Sequence, residues 1–201
     1  MKRTSFLLIT IVLLAITPLL AQAPAPPAQP QAPAPAAQPA PPQTLTSVLD
    51  RRWSGVEKQF VDLADAMPDD KFSFKPTNGL FTDVRTFGEQ ARHVAAANYS
   101  YAAAMLGEKP PVETAGESGP DTIKTKPDIM KYLRDSFAYM HRAMQAMNAE
   151  NAVAPITPSP GRTSTRLWLA TQAIYHCGDH YGQLVVYLRM NGIVPPASRR
   201  Q

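Results

Sequence analysis

The sequence predicts an all-α domain, a four-helix bundle, and three observations predict it. Four stretches, from about Thr46 to Met67, Thr86 to Leu106, Pro127 to Ala149 and Thr163 to Asn191, carry apolar residues at three- and four-residue steps. Pro, Gly and polar residues cluster between them. No stretch shows the apolar–polar alternation of a half-buried strand.

Ahead of the domain, Met1-Lys2-Arg3 and the apolar run Phe6 to Leu20 read as a secretory signal peptide over residues 1–23, with small residues for cleavage after Ala21 or Ala23. The run is shorter than the roughly 20 residues of a membrane span. Expected localisation is therefore exported, periplasmic or extracellular, with no membrane span after cleavage; the alternative is an uncleaved anchor. No Cys lies near the cut, which argues against a lipid anchor. Residues 24–43 are almost only Ala, Pro and Gln and read as a disordered linker without core-forming residues. The folded domain is expected over residues 44–198.

The formal charge is +4, and two of the basic residues, Lys2 and Arg3, fall in the leader. With no basic run interleaved with aromatics, nucleic acid is not an expected partner. The single cysteine, Cys177, excludes an internal disulfide framework.

The first helix places Val48, Leu49, Trp53, Val56, Phe60 and Leu63 on one stripe, and Pro68 ends it. The loop Asp69 to Asp83 should be pinned to the bundle by Phe72, Phe74 and Phe81. Thr86-Phe87-Gly88-Glu89 reads as a capping box opening the second helix, and Gly107 as its stop. His93 falls two turns in, and Ala95 to Ala97 and Ala102 to Ala104 leave room for a close neighbour. Pro127 suits the start of the third helix. His141, beside its apolar stripe, reads as a surface or boundary histidine. Asn151 to Arg162, with Pro155, Pro158, Pro160 and Gly161, reads as a crossover loop. The fourth helix ends at Gly192 with Pro195 and Pro196 beyond. It is apolar nearly all round, which predicts burial, and Gly178 and Gly182 suggest a close backbone contact with a neighbour.

His176 and His180 stand one above the other on that helix. Two imidazoles so placed can grip a metal ion if a third ligand arrives, or they form a solvated face or a hydrogen-bonded core pair. Gln172 and Gln183 extend the polar stripe by a turn each way and fit a supporting or pocket-lining role. Cys177, about 100° round the helix, reads as a buried small residue. Tyr99, Tyr101, Tyr175 and Trp168 read as core rather than as a substrate platform. Glu89, one turn before His93, is the candidate general base or orienter, with the capping box as its structural reading.

Phe74-Lys75-Pro76, Thr86-Phe87-Gly88-Glu89 with His93, His176-x-x-x-His180 before Gly182-Gln183, and the exit Leu188-Arg189-Met190-Asn191-Gly192-Ile193-Val194-Pro195-Pro196 occur in an order that resembles the DinB-like superfamily over about Leu45 to Pro196. The resemblance implies an up-down-down-up bundle and a three-histidine site for zinc or nickel, with His93, His176 and His180 as ligands, in a chain that often forms a homodimer. It implies members that transfer or use low-molecular-weight thiols, and others without a known reaction. Tyr181 stands where an Arg is frequent in the family, and Asp179 where a further His is common.

Three neutral imidazoles leave a divalent ion its full charge and an open position, the pattern of a catalytic site. The expected function is that of an exported metal-dependent hydrolase or transferase acting on a small molecule. The leader favours water over a cytoplasmic thiol as nucleophile. The alternatives are a non-catalytic, metal-stabilised binding module and a plain helical bundle.

Overall fold

The computed structural model describes residues 42–77, 79 and 83–199. The expected leader, all but the last two residues of the spacer, and Phe81 lie outside the described residues.

Four helices dominate: α1 (Leu45–Asp65), α2 (Phe87–Leu106), α3 (Lys126–Gln145) and α4 (Arg166–Met190). A threonine opens each one. Thr44, Thr86, Thr125 and Thr165 take extended backbone and turn their hydroxyls onto amides that the first turn leaves without a helical partner. Gly107 closes α2 with φ of +72°, a conformation costly for any residue with a Cβ.

Contacts at the helix ends fix the directions. Thr46 at the start of α1 donates to the Met147 carbonyl just past α3, and Lys126 at the start of α3 donates to the Asp65 carbonyl, so these two run antiparallel. Arg166 reaches the Met105 carbonyl while Tyr187 reaches that of Arg85, so α2 and α4 are also antiparallel. Arg142 of α3 pairs with Glu108 beyond α2, and Gly88 lies against Ile129 at the other end, so α2 and α3 run parallel. The helices thus run up, down, down and up, with the long connection between α2 and α3 returning the chain from one end to the other.

The core fills the space between them. Trp53 and Phe60 both pack at a tilt against Phe137 in the core, and the Trp53 indole donates to the Phe137 carbonyl at 3.1 Å. Burying aromatic surface on this scale dominates the stability of a domain this size. Phe72 packs on Phe87 and Phe74 on Tyr187, which ties the first loop down as its aromatic residues predicted. His141 sits half-buried at the α3–α1 boundary, between the carboxylates of Asp50 and Glu57.

The structure departs from the sequence reading in three places. First, the segment expected as a crossover loop holds an antiparallel hairpin, β1 (Pro155–Ser159) and β2 (Arg162–Thr165), turned by Pro160 and Gly161. Gly161 has φ of +77°, which suits the position after proline in a tight turn. Irregular pairing between Ile156 and Ser159 accommodates Pro158, which has no amide to donate.

Second, the helix buried on nearly every side is α2, which packs on both α3 and α4, whereas α4 keeps an outward arc. Trp168 and Tyr175, expected in the core, lie on that arc and are 49% and 69% exposed. Tyr99 is buried as expected and Tyr101 partly so. Third, no neighbour explains Gly178 and Gly182: a Cβ on either would meet nothing within 4 Å.

Candidate metal centre

The cluster forms where α2 and α4 cross in the half of the bundle that holds the start of α2. Their antiparallel packing brings His93, two turns into α2, against His176 and His180 of α4. The three ring centroids lie 4.5 to 4.9 Å apart, and one ligand-capable nitrogen from each ring lies within 4.8 Å of the other two. His93 and His180 are buried, 4% and 9% exposed, and His176 is half-buried. The structure therefore brings together the three histidines that the family resemblance named, and they form a group that could hold a metal ion.

Hydrogen bonds set which nitrogen two of the three rings present. His93 Nδ1 meets the carbonyl of Glu117. A carbonyl only accepts, so Nδ1 carries the proton and Nε2 presents its lone pair. His180 Nδ1 lies 2.9 Å from Gln90 Oε1, which leaves Nε2 of His180 likewise unprotonated. His93 Nε2 and His176 Nε2 face each other at 3.1 Å. The remaining His176 nitrogen, Nδ1, is buried without a hydrogen-bond partner among the described residues.

Electrostatics keeps the rings neutral. Burial holds His93 below the usual imidazole range. Burial, reinforced by neighbouring rings and the Arg85 charge, lowers His176 to about 3 and His180 to about 4. At neutral pH all three lone pairs are available without loss of a proton. Two nitrogen lone pairs facing at hydrogen-bond distance repel unless a proton or a cation lies between them. A largely buried, neutral, nitrogen-only donor set of this kind suits zinc or nickel and does not distinguish them.

Other expected site residues fall differently. Glu89 is outside the group of converging ligand atoms. Its carboxylate accepts from the Thr86 amide while Thr86 accepts from the Glu89 amide, the capping box in full. Those hydrogen bonds hold its carboxyl below the usual carboxylate range, which makes it a weak base. Gln172 lies close to the Tyr101 hydroxyl and lines a cavity together with it. Gln183 does not join it: it is exposed and bonds Asp179 one turn back. Cys177 is fully buried against Asn98, and burial pushes its thiol up and out of reactive range.

Sequence reasoning missed three supports. Gln90 sits on α2 one turn before His93 and is 4% exposed. Tyr101 packs edge-on against His176 at 6.0 Å. Arg92, buried on α2, donates to the carbonyls of Ser118 and Ile123 and pairs with Asp121. It fastens the loop that carries Glu117. Gly119, at φ of +73°, lies over it so closely that a Cβ there would stand 2.5 Å from Arg92 Cγ. A buried arginine and a loop glycine are visible in a sequence, but nothing there pairs them.

The model of the DinB superfamily matches residues 52–184. Solved structures similar to this chain include a DinB-like protein from Bacillus cereus, at 21% identity and TM-score 0.62, covering 77% of this chain and 97% of that one. Another is a DinB-like protein from Bacillus subtilis, at 18% identity and TM-score 0.57, covering 77% and 99%. A third is a conserved protein from Enterococcus faecalis, at 16% identity and TM-score 0.58, covering 74% and 98%. At such identities these likenesses speak for the fold alone. No curated protein matches the chain. With a family model spanning most of the bundle and all three histidines, the chain belongs to the DinB superfamily.

Proposed function

We propose that the protein is an exported metal-binding member of this superfamily that acts on a small molecule as a metal-dependent hydrolase or transferase. One observation carries the reading: three neutral imidazoles from two helices, two buried and one half-buried, place ligand nitrogens within 4.8 Å of one another. In this reading His93, His176 and His180 hold a zinc or nickel ion, and Gln90 and the Glu117 carbonyl hold two of the rings in the tautomer the ion requires. When bound, such an ion supplies Lewis acidity and brings the pKa of water towards neutrality. Glu89 remains the acid–base candidate, in competition with its cap. Residues 1–23 act as the leader, 24–43 as the spacer and 44–198 as the working domain.

The test is an activity screen with the ion removed by chelation and then restored as zinc or nickel, against esters, amides, phosphoesters and thiol conjugates. Turnover that disappears and returns with the ion supports the reading. Tight metal binding with no turnover on any class favours the non-catalytic, metal-stabilised module. Turnover of thiol conjugates alone overturns the preference for water.

A further inference from the structure

A cavity of about 760 Å³ opens between α2, the loop that carries Glu117, the β1–β2 hairpin and the start of α4. That volume is in the range of pockets that enclose small organic ligands. It shares two residues with the cluster's surroundings. Tyr101 lines it and packs edge-on against His176. Glu117 lines it, and its carbonyl accepts the hydrogen bond from His93 Nδ1. The β1–β2 hairpin and the first turns of α4 form the opposing walls.

Three groups in those walls have no evident part in holding the fold. Trp168 is 49% exposed, although an indole gains most from burial. The Arg162 guanidinium has no carboxylate or carbonyl partner among the described residues. The Ser164 hydroxyl is buried with no hydrogen-bond partner among the described residues, which is uncommon in a folded protein. All three line the one cavity. They offer a flat apolar surface, a cation and an unused hydroxyl.

We propose that this cavity is the substrate pocket and that it takes a small molecule with a planar apolar body and a single anionic group. The body lies against Trp168 and Tyr101, and the anionic group meets Arg162 and the Ser164 hydroxyl. Arginine suits carboxylate and phosphate because its donors match their geometry. The Glu117 carboxylate repels an anion from the loop side, so the charged end points to the hairpin and the other end to the rings. The orientation rests on the three-histidine group being the reactive centre; binding to the cavity does not.

The experiment uses the full chain, metal-loaded and metal-stripped, titrated calorimetrically with 1-naphthoate and with its uncharged analogue 1-naphthamide. Saturable binding of both is expected, with naphthoate about tenfold tighter because only it uses the charged donor. Arg162→Gln should bring naphthoate down to the amide's affinity and leave the amide unchanged. Trp168→Ala should weaken both probes. Both residues are exposed, and unchanged circular dichroism and metal content show that the variants remain folded. Equal affinity for the two probes, no effect of Arg162→Gln, or no saturable binding overturns the proposal. Metal content on the same samples separates this from the metal reading: a chain that holds no ion yet discriminates the probes through Arg162 keeps the pocket and loses the metalloenzyme.

Discussion

Gln90 Oε1 accepts from His180 Nδ1 across the α2–α4 interface at 2.9 Å, and both side chains are buried. That bond decides which nitrogen of His180 is free for a ligand. Replacing Gln90 with Ala removes the acceptor and frees the ring to rotate or change tautomer. Metal affinity should fall by about 10- to 100-fold, read by competition with a chromogenic chelator, with the helical content of the domain retained. An unchanged affinity would show that Gln90 has no part in the site.

Glu89 carries two readings that one substitution separates. Gln serves at this capping-box position as well as Glu, but it cannot take a proton. Glu89→Gln should therefore keep the thermal midpoint near that of wild type. If Glu89 acts as base, turnover should fall by about 100-fold or more. If its part is only the cap, turnover should stay. Glu89→Ala, which removes both, should lose about 1 kcal/mol of stability in either case.

Gly119 is predicted to be a sensitive position although it lies in a loop. Alanine there meets both a left-handed backbone and Arg92 Cγ at 2.5 Å. Gly119→Ala should cost about 2 kcal/mol in urea unfolding. It should also weaken metal binding, because the same loop presents the Glu117 carbonyl to His93. A loss of stability with metal affinity intact would uncouple the loop from the cluster.

Acid should loosen the metal-stripped domain in a defined window. The folded values of His176 and His180, about 3 and about 4, lie below the ordinary imidazole value. Between these limits the unfolded chain binds more protons than the folded one, so stability rises with pH. The stabilisation is complete above about pH 6.5 and is lost progressively as pH falls towards 3. The urea midpoint of wild type should drop more steeply over that range than that of a His176→Gln, His180→Gln double variant. Parallel slopes would show that the two rings titrate normally.

The helices were legible because their signals are local. The Thr86 to Glu89 box, the glycine at 107 and the apolar stripe of α1 each act within a turn or two of themselves. The His176–His180 pair was legible for the same reason, and the family pattern supplied His93. The hairpin was not, because Pro155, Pro158, Pro160 and Gly161 read as breakers of any regular structure. In a two-stranded ribbon each strand has a free edge, and a proline facing that edge costs no ladder bond. Gln90 was not legible because its partner is on another helix. Trp168 and Tyr175 were misplaced because an apolar side chain does not reveal whether another helix covers it, and α4 packs on α1 and α2 with its outer arc uncovered.

The most direct measurement is the metal content of the purified full chain by inductively coupled plasma mass spectrometry, wild type beside His93→Ala and His176→Ala. The account predicts about one zinc or nickel per wild-type chain and near none in either variant. Wild-type protein that takes up no ion when supplied with either metal, or variants that hold as much as wild type, would contradict it.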